Sequence, residues 1–269
     1  MSEVTPDGTA FQLTGKTDGP TVALIHGLGL NRDCWQWIVP GLADKYRVLT
    51  YDLYGHGNSD DPREAPSLTM YSDQLQRLLD HCNCATASIA GFSLGGMIAR
   101  RMAQDVPDRV AAMAVLHSPH LRTHEAQAAI EKRVEQARLE GASSTVEAAL
   151  ERWFTDGYRA ENPAMMDRVR GWVMANDISI YHTAYKVLAT GVNEITAPVP
   201  KITCPTFVMT GDEDFGNGPE MSQAIAREIS GATVNILPGL RHMALVEDPA
   251  AVLDPLRSFL DRALPGAGK

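Results

Sequence analysis

The sequence predicts an α/β protein: an open, doubly wound and mostly parallel β-sheet with helices on both faces. Short runs rich in Val, Ile, Leu and Ala alternate with helix-like segments along the chain. Several of these runs lack a polar face, which is typical of central parallel strands. The 269 residues are also enough to bury a large core. In such a fold, ligands bind at the carboxyl ends of the strands.

The predicted strands and helices can be placed one by one. Six apolar segments are predicted as strands: Thr21–His26, Arg47–Tyr51, Thr86–Ala90, Val110–Leu116, Pro205–Thr210 and Thr233–Leu237. Five segments between and after them are predicted as helices: 33–43, 68–82, 94–105, 219–229 and 248–263. Pro107 and Gly231 follow two of these helices and help to end them.

Residues 120–200 interrupt this alternation. They are predicted to form four helices with no strand between them: 124–140, 144–155, 163–175 and 178–190. Ser144 with Glu147 fits a capping box at the start of the second one. Four helices exceed what one crossover connection needs. We therefore predict a helical lid at 120–200 over a core built from 1–119 and 201–269.

The composition excludes several classes of partner. The net charge of −9 makes nucleic acid and anionic membranes unexpected partners. No stretch approaches the length of a membrane span, and the first residues lack a signal-peptide pattern. The four cysteines form neither a C-x-x-C pair nor a metal-ligand spacing. We expect a cytoplasmic protein that acts on a small molecule, without a metal or organic cofactor, and monomer and homodimer both remain open.

The most informative motif is GFSLG at 91–95, a G-x-S-x-G pattern between an apolar strand and an apolar helix. A serine becomes a useful nucleophile when its oxygen is exposed and a base takes its proton. A sharp strand-to-helix turn supplies this exposure, and the glycines leave room for the strained backbone. We predict Ser93 as the nucleophile. The alternative is a glycine-rich turn in which Ser93 only caps the helix.

A second glycine-containing loop follows the first predicted strand at His26–Gly29. Its glycines let the chain bend, so that the N–H of Leu28 points at a substrate carbonyl oxygen. The N–H of Leu94, at the start of the helix after the serine, would be the second donor. An ordinary strand-ending turn is the alternative. His26 itself is expected to bond its own loop.

The partners of the serine are expected in the chain order Ser, Asp, His. Three acids follow Gly211, and the usual placement three residues past the glycine selects Asp214, with Asp212 as runner-up. His242 lies on a glycine-containing loop after the last strand and just before the closing helix. We predict His242 as the general base and Asp214 as the carboxylate that orients it.

These motifs together resemble the α/β-hydrolase superfamily. HGLG, DLYGHGNSD, GFSLGG and GDED…GLRHM occur in that order between Thr21 and Leu264. Within the superfamily the chain looks most like the 3-oxoadipate enol-lactonases and related small esterases and lactonases. HGLGLNRDCWQW, ERWFTDGYRAENP and HMALVEDP carry this closer resemblance. Members that act on epoxides or haloalkanes have an acid where Ser93 stands, so the chain is not expected to be one of them.

In some members of the superfamily the acid of the triad follows the preceding core strand. In this chain that position reads His117-Ser118-Pro119-His120 and offers no carboxylate. The resemblance therefore keeps Asp214 as the predicted acid.

The predicted function is a serine hydrolase that cleaves an ester, lactone or related acyl bond of a small metabolite through an acyl-enzyme. For a carboxylate-bearing substrate, the candidates are Arg32 beside the Leu28 loop and Arg122 at the entry to the lid. Trp153 could supply an apolar wall. Solvent exposure or lid packing is the alternative for each. Three other functions remain open: an amide or enamide hydrolase of substituted succinates, a non-catalytic receptor on the same fold, and an acyltransferase.

Overall fold

The computed structural model describes residues 3–264 and contains an eight-stranded sheet. The strands are β1 (Glu3–Val4), β2 (Ala10–Gly15), β3 (Thr21–Ile25), β4 (Arg47–Tyr51), β5 (Ala87–Phe92), β6 (Val110–Leu116), β7 (Thr206–Gly211) and β8 (Thr233–Leu237). Their order across the sheet is β1-β2-β4-β3-β5-β6-β7-β8. From β4 to β8 every neighbouring pair is parallel. The predicted mostly parallel sheet is confirmed.

The antiparallel edge of the sheet was not predicted. β1 pairs with β2, and β2 pairs with β4, in antiparallel register. β2 has half-buried and exposed positions from its third residue onward. A strand of this kind lacks the continuous apolar run by which the central strands were found.

Eleven α-helices accompany the sheet in residues 3–264. They are α1 (Leu68–His81), α2 (Leu94–Asp105), α3 (His124–Glu140), α4 (Val146–Trp153), α5 (Asp156–Glu161), α6 (Pro163–Met174), α7 (Ile178–Thr190), α8 (Val192–Ile195), α9 (Pro219–Glu228), α10 (Ala244–Glu247) and α11 (Pro249–Ala263). Within the described chain, none is both long and apolar enough to cross a membrane.

The predicted helix at 33–43 is wrong. The structure has two 3₁₀ turns there, Arg32–Trp35 and Val39–Gly41. Pro40 lies inside the second turn, where it lacks the N–H that a continuing α-helix would need.

The connection from β6 to β7 consists of helices α3 to α8, with no strand between them in the described chain. The capping box predicted for α4 is wrong: Thr145 is the N-cap residue and makes no side-chain cap. Ser144 instead donates its hydroxyl to the carbonyl of Gly141. The division into a core at 1–119 and 201–269 and a separate lid at 120–200 stays a prediction.

Both ends of this helical connection are attached to the sheet's helices by one buried arginine. Arg100 of α2 donates to the carbonyl of Pro119 (3.1 Å) and to that of Ile195 (2.9 Å). Glu228 of α9 lies 3.6 Å from Arg100 and accepts a bond from the Ala197 amide (2.9 Å). These contacts fix where the helices stand relative to the carboxyl edge of the sheet.

Candidate active site

Ser93 lies on a strained turn between β5 and α2. Its backbone has φ 56° and ψ −113°, a conformation that non-glycine residues seldom adopt without a functional reason. A Cβ at Gly91 would lie 2.1 Å from the carbonyl oxygen of Gly95, and one at Gly95 would lie 2.3 Å from that of Ile25. The two glycines of the motif are therefore sterically required. The Ser93 side chain makes no capping bond to α2, so the helix-cap alternative has no support.

The loop after β8 brings His242 against the loop after β7. The Nδ1–H of His242 donates to Oδ2 of Asp214 at 2.7 Å, because an ionised carboxylate can only accept. The other oxygen of Asp214 accepts from the amides of Gly216 (3.1 Å) and Asn217 (3.0 Å). Both side chains are buried. This bond leaves Nε2 of His242 as the nitrogen that can exchange a proton with a ligand or a hydroxyl.

The other two acids after Gly211 point elsewhere. Asp212 is exposed and accepts a bond from the Gly239 amide at 2.7 Å. Glu213 lies 3.6 Å from the guanidinium of Arg241. Of the three acids, Asp214 alone contacts His242.

The electrostatic surroundings keep Asp214 ionised. Burial by itself would raise the pKa of this carboxyl group. The charge of His242 and the hydrogen bonds from His117 and His242 outweigh burial and hold the pKa far below its usual range. Asp214 is therefore a carboxylate near neutral pH.

Ser93, Asp214 and His242 line one cavity at the carboxyl edge of the sheet, and Leu28 lines it too. The structure thus brings together the three side chains that were predicted to act together. The amides of Leu28 and Leu94 have no hydrogen-bond acceptor within residues 3–264. Leu94 follows Ser93 in the chain and Leu28 lines the same cavity, so both amides are candidate donors to a developing oxyanion.

The histidine of the HGLG loop has a structural position. Nδ1 of His26 is 2.8 Å from the carbonyl oxygen of Gly27, and its Nε2 accepts from the amide of Leu53 at 2.9 Å. Burial lowers the pKa of His26 to about 4, so the ring is neutral near neutral pH. These bonds tie the loop that carries Leu28 to the loop that follows β4.

Arg32 does not line the cavity that contains Ser93. Its guanidinium and its amide both donate to the buried carboxylate of Asp52, each at 2.7 Å. Asp52 also accepts from the amide of Asn58. Arg32 is therefore part of a structural ion pair, and this position corrects the expectation that it contacts substrate.

Arg122 does line the cavity, and two further arginines join it: Arg133 of α3 and Arg152 of α4. Burial and the charge of Arg133 lower the pKa of Arg122 to about 10, and the same two causes lower the pKa of Arg152. No carboxylate in the described chain lies within ion-pair distance of the three guanidinium groups. Arg133 donates instead to the hydroxyl of Tyr185 at 3.0 Å, and Arg122 donates to two carbonyls in the last turn of α7, each at 3.2 Å.

Arg133 and Arg152 were not predicted from the sequence. α3 is exposed along most of its length, so a cation on it resembles a solvated side chain. Arg152 stands beside Trp153, and that aromatic neighbour is the only local signal that could have pointed to it.

Trp153 lies on the helical side of the cavity, where the sequence placed it. Its ring centroid is 6.1 Å from that of His242. Its carbonyl accepts a bond from the amide of Met243 at 2.8 Å. The indole thus packs beside the general-base candidate and connects α4 to the loop after β8.

One group of side chains has the spacing of a metal site. Potential ligand atoms of His117, Asp214 and His242 lie within 4.8 Å of one another. Both Nδ1 atoms, however, are bonded to Oδ2 of Asp214, at 3.0 Å and 2.7 Å. A metal ion would have to replace both protons, so the hydrogen-bonded arrangement describes the group better.

Comparison with known proteins agrees with this architecture. A family model described as "Alpha/beta hydrolase family" matches residues 22–254. The chain is 29% identical over 244 residues to the (E)-2-((N-methylformamido)methylene)succinate hydrolase of Acinetobacter baylyi, covering 91% of each chain. It is 26% identical over 248 residues to 3-oxoadipate enol-lactonase 2 of the same organism, covering 92% of this chain and 91% of the relative.

Solved structures with the same fold include an enol-lactonase from Burkholderia xenovorans. Its TM-score is 0.88 at 24% identity, covering 97% of this chain and 99% of the other. A thermophilic esterase from Thermogutta terrifontis, solved with malate bound, has a TM-score of 0.86 at 26% identity and covers 97% of both chains.

Proposed function

Since this chain belongs to the alpha/beta hydrolase family, we propose that it is a serine hydrolase. Its substrate is a small carboxylate-bearing metabolite, of which it cleaves an ester, lactone or related acyl bond. The observation that carries this proposal is the common cavity, which is lined both by a serine on a strained turn and by a histidine bonded to a buried carboxylate. A serine nucleophile, a base and a group that orients the base are the parts that acyl transfer requires.

In the proposed mechanism Ser93 attacks the substrate carbonyl while Nε2 of His242 takes the hydroxyl proton. Asp214 holds the imidazole through Nδ1 and stabilises its charged form. The amides of Leu28 and Leu94 donate to the oxyanion. The bond from the carbonyl carbon to the leaving oxygen or nitrogen then breaks, that atom takes the proton from His242, and Ser93 remains acylated. Water, deprotonated by the same imidazole, hydrolyses the acyl-enzyme and restores Ser93.

The charge of the cavity supports a substrate that carries carboxylate groups. Arg122, Arg133 and Arg152 line it without a carboxylate partner in the described chain, although the whole protein has a net charge of −9. Partly buried cations lose hydration, and an anionic ligand restores their interactions through charge-assisted hydrogen bonds. A substrate carboxylate is the simplest ligand that does so next to Ser93.

An amide or enamide bond of a substituted succinate is the alternative to an ester or lactone. The named activity of the Acinetobacter baylyi relative at 29% identity favours it, since a succinate carries two carboxylates. Three arginines in the cavity could accommodate two such groups. The two alternatives share Ser93, His242 and the arginines, and they differ in the atom that leaves.

A turnover screen tests the proposal. The wild-type protein is assayed on matched pairs of small esters, enol-lactones and amides that differ in one carboxylate group. The Ser93→Ala protein serves as the blank. We expect turnover of the carboxylate-bearing member of at least one pair, with the uncharged member slower, and none above background in the blank. Equal turnover by wild type and blank would refute the serine mechanism, and a preference for uncharged substrates would refute the role of the arginines.

A further inference from the structure

His117 is a buried histidine that the proposed mechanism does not use. It is the first residue after β6, which lies in the sheet between β5 and β7, the strands that carry Ser93 and Asp214. The ring is about 1% exposed. It packs against Phe92 and lies edge-on to the ring of His242, with centroids 5.7 Å apart. The topology therefore places this imidazole directly beside the predicted triad.

The ring of His117 contacts the same carboxylate oxygen as the ring of His242. Its Nδ1 is 3.0 Å from Oδ2 of Asp214, and since the carboxylate is ionised, Nδ1–H must be the donor. Oδ2 thus accepts from two imidazoles at once. The hydroxyl of Thr210 lies 3.3 Å from the same Nδ1, and it donates to the carbonyl of Asn217 at 2.8 Å.

The backbone of His117 is held in an uncommon conformation that aims the ring at Asp214. Its φ is 49°, in the left-handed region. Its amide donates to the carbonyl of Met209 at 2.7 Å, and its own carbonyl accepts from the side chain of Asn217 at 2.8 Å. Asn217 also donates its amide to Asp214. Hydrogen bonds at both the amide and the carbonyl of His117 thus hold the ring in this position.

The ring is neutral, and one of its nitrogens has no partner. Burial lowers the pKa of His117 despite the hydrogen bond to Asp214 and its negative charge, and the charge of His242 lowers it further. Nε2 of His117 is buried and has no hydrogen-bond partner in residues 3–264. An unsatisfied buried nitrogen costs free energy, so the other contacts of the ring must hold it in this position. The hydrogen-bonded nitrogen of the His117 ring, Nδ1, faces Asp214.

We infer that His117 is a positioning residue for the reaction proposed above: its Nδ1–H fixes the Asp214 carboxylate and shares Oδ2 with His242. Through Asp214 it keeps His242 in the tautomer that presents Nε2 to Ser93. It also limits how strongly Oδ2 can stabilise the charged form of His242, because one acceptor atom serves two donors. This inference rests on the proposed function of Ser93 and His242.

Two variants of similar size separate a positioning role from a packing role. The His117→Asn variant keeps an N–H donor, because the amide nitrogen of Asn is attached to Cγ in the same way as Nδ1 of histidine. Asn also tolerates positive φ. His117→Leu has nearly the same shape and no donor. Both variants remove the unpartnered Nε2. His182→Asn on α7 is the control, since His182 is half-buried and its ring donates to the carbonyl of Ile178 in its own helix.

Kinetics give the first readout. For His117→Leu we expect kcat to fall about tenfold or more, the cost of one hydrogen bond to a charged group, while KM changes less than twofold. The acid limb of its rate profile should move to higher pH, because Oδ2 then loses one of its two imidazole donors and stabilises the charged form of the other more. His117→Asn should restore most of kcat and return the acid limb towards its wild-type position. Equal profiles for the two variants would overturn the inference.

Stability against pH gives a readout that needs no turnover. The pKa of Asp214 is lowered in the folded protein, so the stability that it contributes is present above its unfolded pKa and is lost as pH falls. The Leu variant loses one of the bonds that lower this pKa. We expect the Asn variant to unfold at a higher urea concentration than the Leu variant at pH 7. The gap should narrow only as the pH falls well below the unfolded value of about 3.9, towards the lowered folded-state pKa of Asp214.

Failure of the inference about His117 and failure of the proposed function give different results in these two measurements. A gap between the Asn and Leu variants that does not narrow as the pH falls towards the folded-state pKa of Asp214 would indicate packing alone and overturn the inference, even in an active enzyme. A wild-type protein without turnover on any substrate would refute the proposed function. In that case a pH-dependent gap would still identify His117 as the residue that holds the Asp214 carboxylate.

Discussion

The two sides of the cavity differ in how their polar groups are satisfied. On the sheet side, Asp214 accepts bonds at both oxygens, from His242, His117 and the backbone. On the helical side, Arg133 and Arg152 face the cavity without a carboxylate partner in the part of the chain that is described. The satisfied hydrogen-bond network on the sheet side fixes the positions of its side chains. The guanidinium groups on the helical side have no carboxylate partner within the described residues and can bind an anionic ligand. The sheet side is therefore suited to bond cleavage, and the helical side to the choice of substrate.

Replacing the nucleophile should have the largest effect. In Ser93→Ala the hydroxyl that attacks the substrate is gone, while the cavity and its arginines remain. We expect kcat to fall by about 10³-fold or more, with residual rate from binding and the backbone donors. Turnover under saturating substrate measures it, and an unchanged midpoint of thermal unfolding is the control. Full activity in this variant would remove the sheet side from the mechanism.

Removing the charge of the acid should have the next largest effect. Asp214→Asn can no longer hold His242 with Nδ1 protonated, and the wrong tautomer costs about 10⁴-fold in kcat in enzymes of this type. Asp212→Asn is the matched control, because Asp212 bonds only the exposed turn at Gly239. The control should stay within about twofold of wild type, since surface substitutions change little. The reverse outcome, with Asp212 essential, would reassign the acid to the runner-up.

The helical side should control KM. Arg152→Met removes a cavity cation but keeps much of its apolar stem. For the carboxylate-bearing substrate we expect KM to rise about 10- to 100-fold, as lost hydrogen bonds to charged groups imply, with kcat nearly unchanged. An uncharged analogue should show no such rise.

The matched control for the helical side is Arg138→Met on α3, because Arg138 pairs with Glu135 at the exposed surface. A similar rise in KM for the control, or for the uncharged analogue, would mean that Arg152 acts through folding and not through charge.

The pH dependence should be the smallest of these effects: on the acid limb, kcat/KM should fall about tenfold for each pH unit. Asp214 stays ionised because its pKa is held far below the usual range, so it does not titrate where the enzyme works. The mechanism then requires one unprotonated base in the active form, the imidazole bonded to Asp214. A plot of log kcat/KM against pH should have a slope of one. A slope of two would show that a second group titrates with it.

The same comparison explains how much the sequence could predict. The sheet-side residues follow strand ends, and backbone sterics force glycine beside them: a Cβ at Gly91 or Gly95 would overlap a carbonyl. Such constraints leave a readable local pattern, which is why Ser93, Asp214 and His242 could be selected before the fold was known. The parallel order of the strands followed from their apolar runs.

The helical side leaves no such pattern. Arg133 lies on α3, a helix with only two buried residues, and nothing in the sequence tells which of its cations turns inward. Arg32 was selected for its nearness to Leu28 along the chain, but Asp52 pairs with it. His117 escaped notice as a partner of Asp214 because their contact depends on β6 lying next to β7 in the sheet. The contacts of all three residues depend on how distant segments pack together in the fold, and not on their neighbours in the sequence.

Covalent labelling of Ser93 tests the central claim most directly, because it separates an enzyme from a receptor on the same fold. The protein is treated with a fluorophosphonate, digested, and analysed by mass spectrometry for the modified peptide. We predict one adduct, on the peptide that contains Ser93, formed much more slowly in His242→Ala and absent in Ser93→Ala. An unmodified protein, or an adduct elsewhere that persists in Ser93→Ala, would contradict the account.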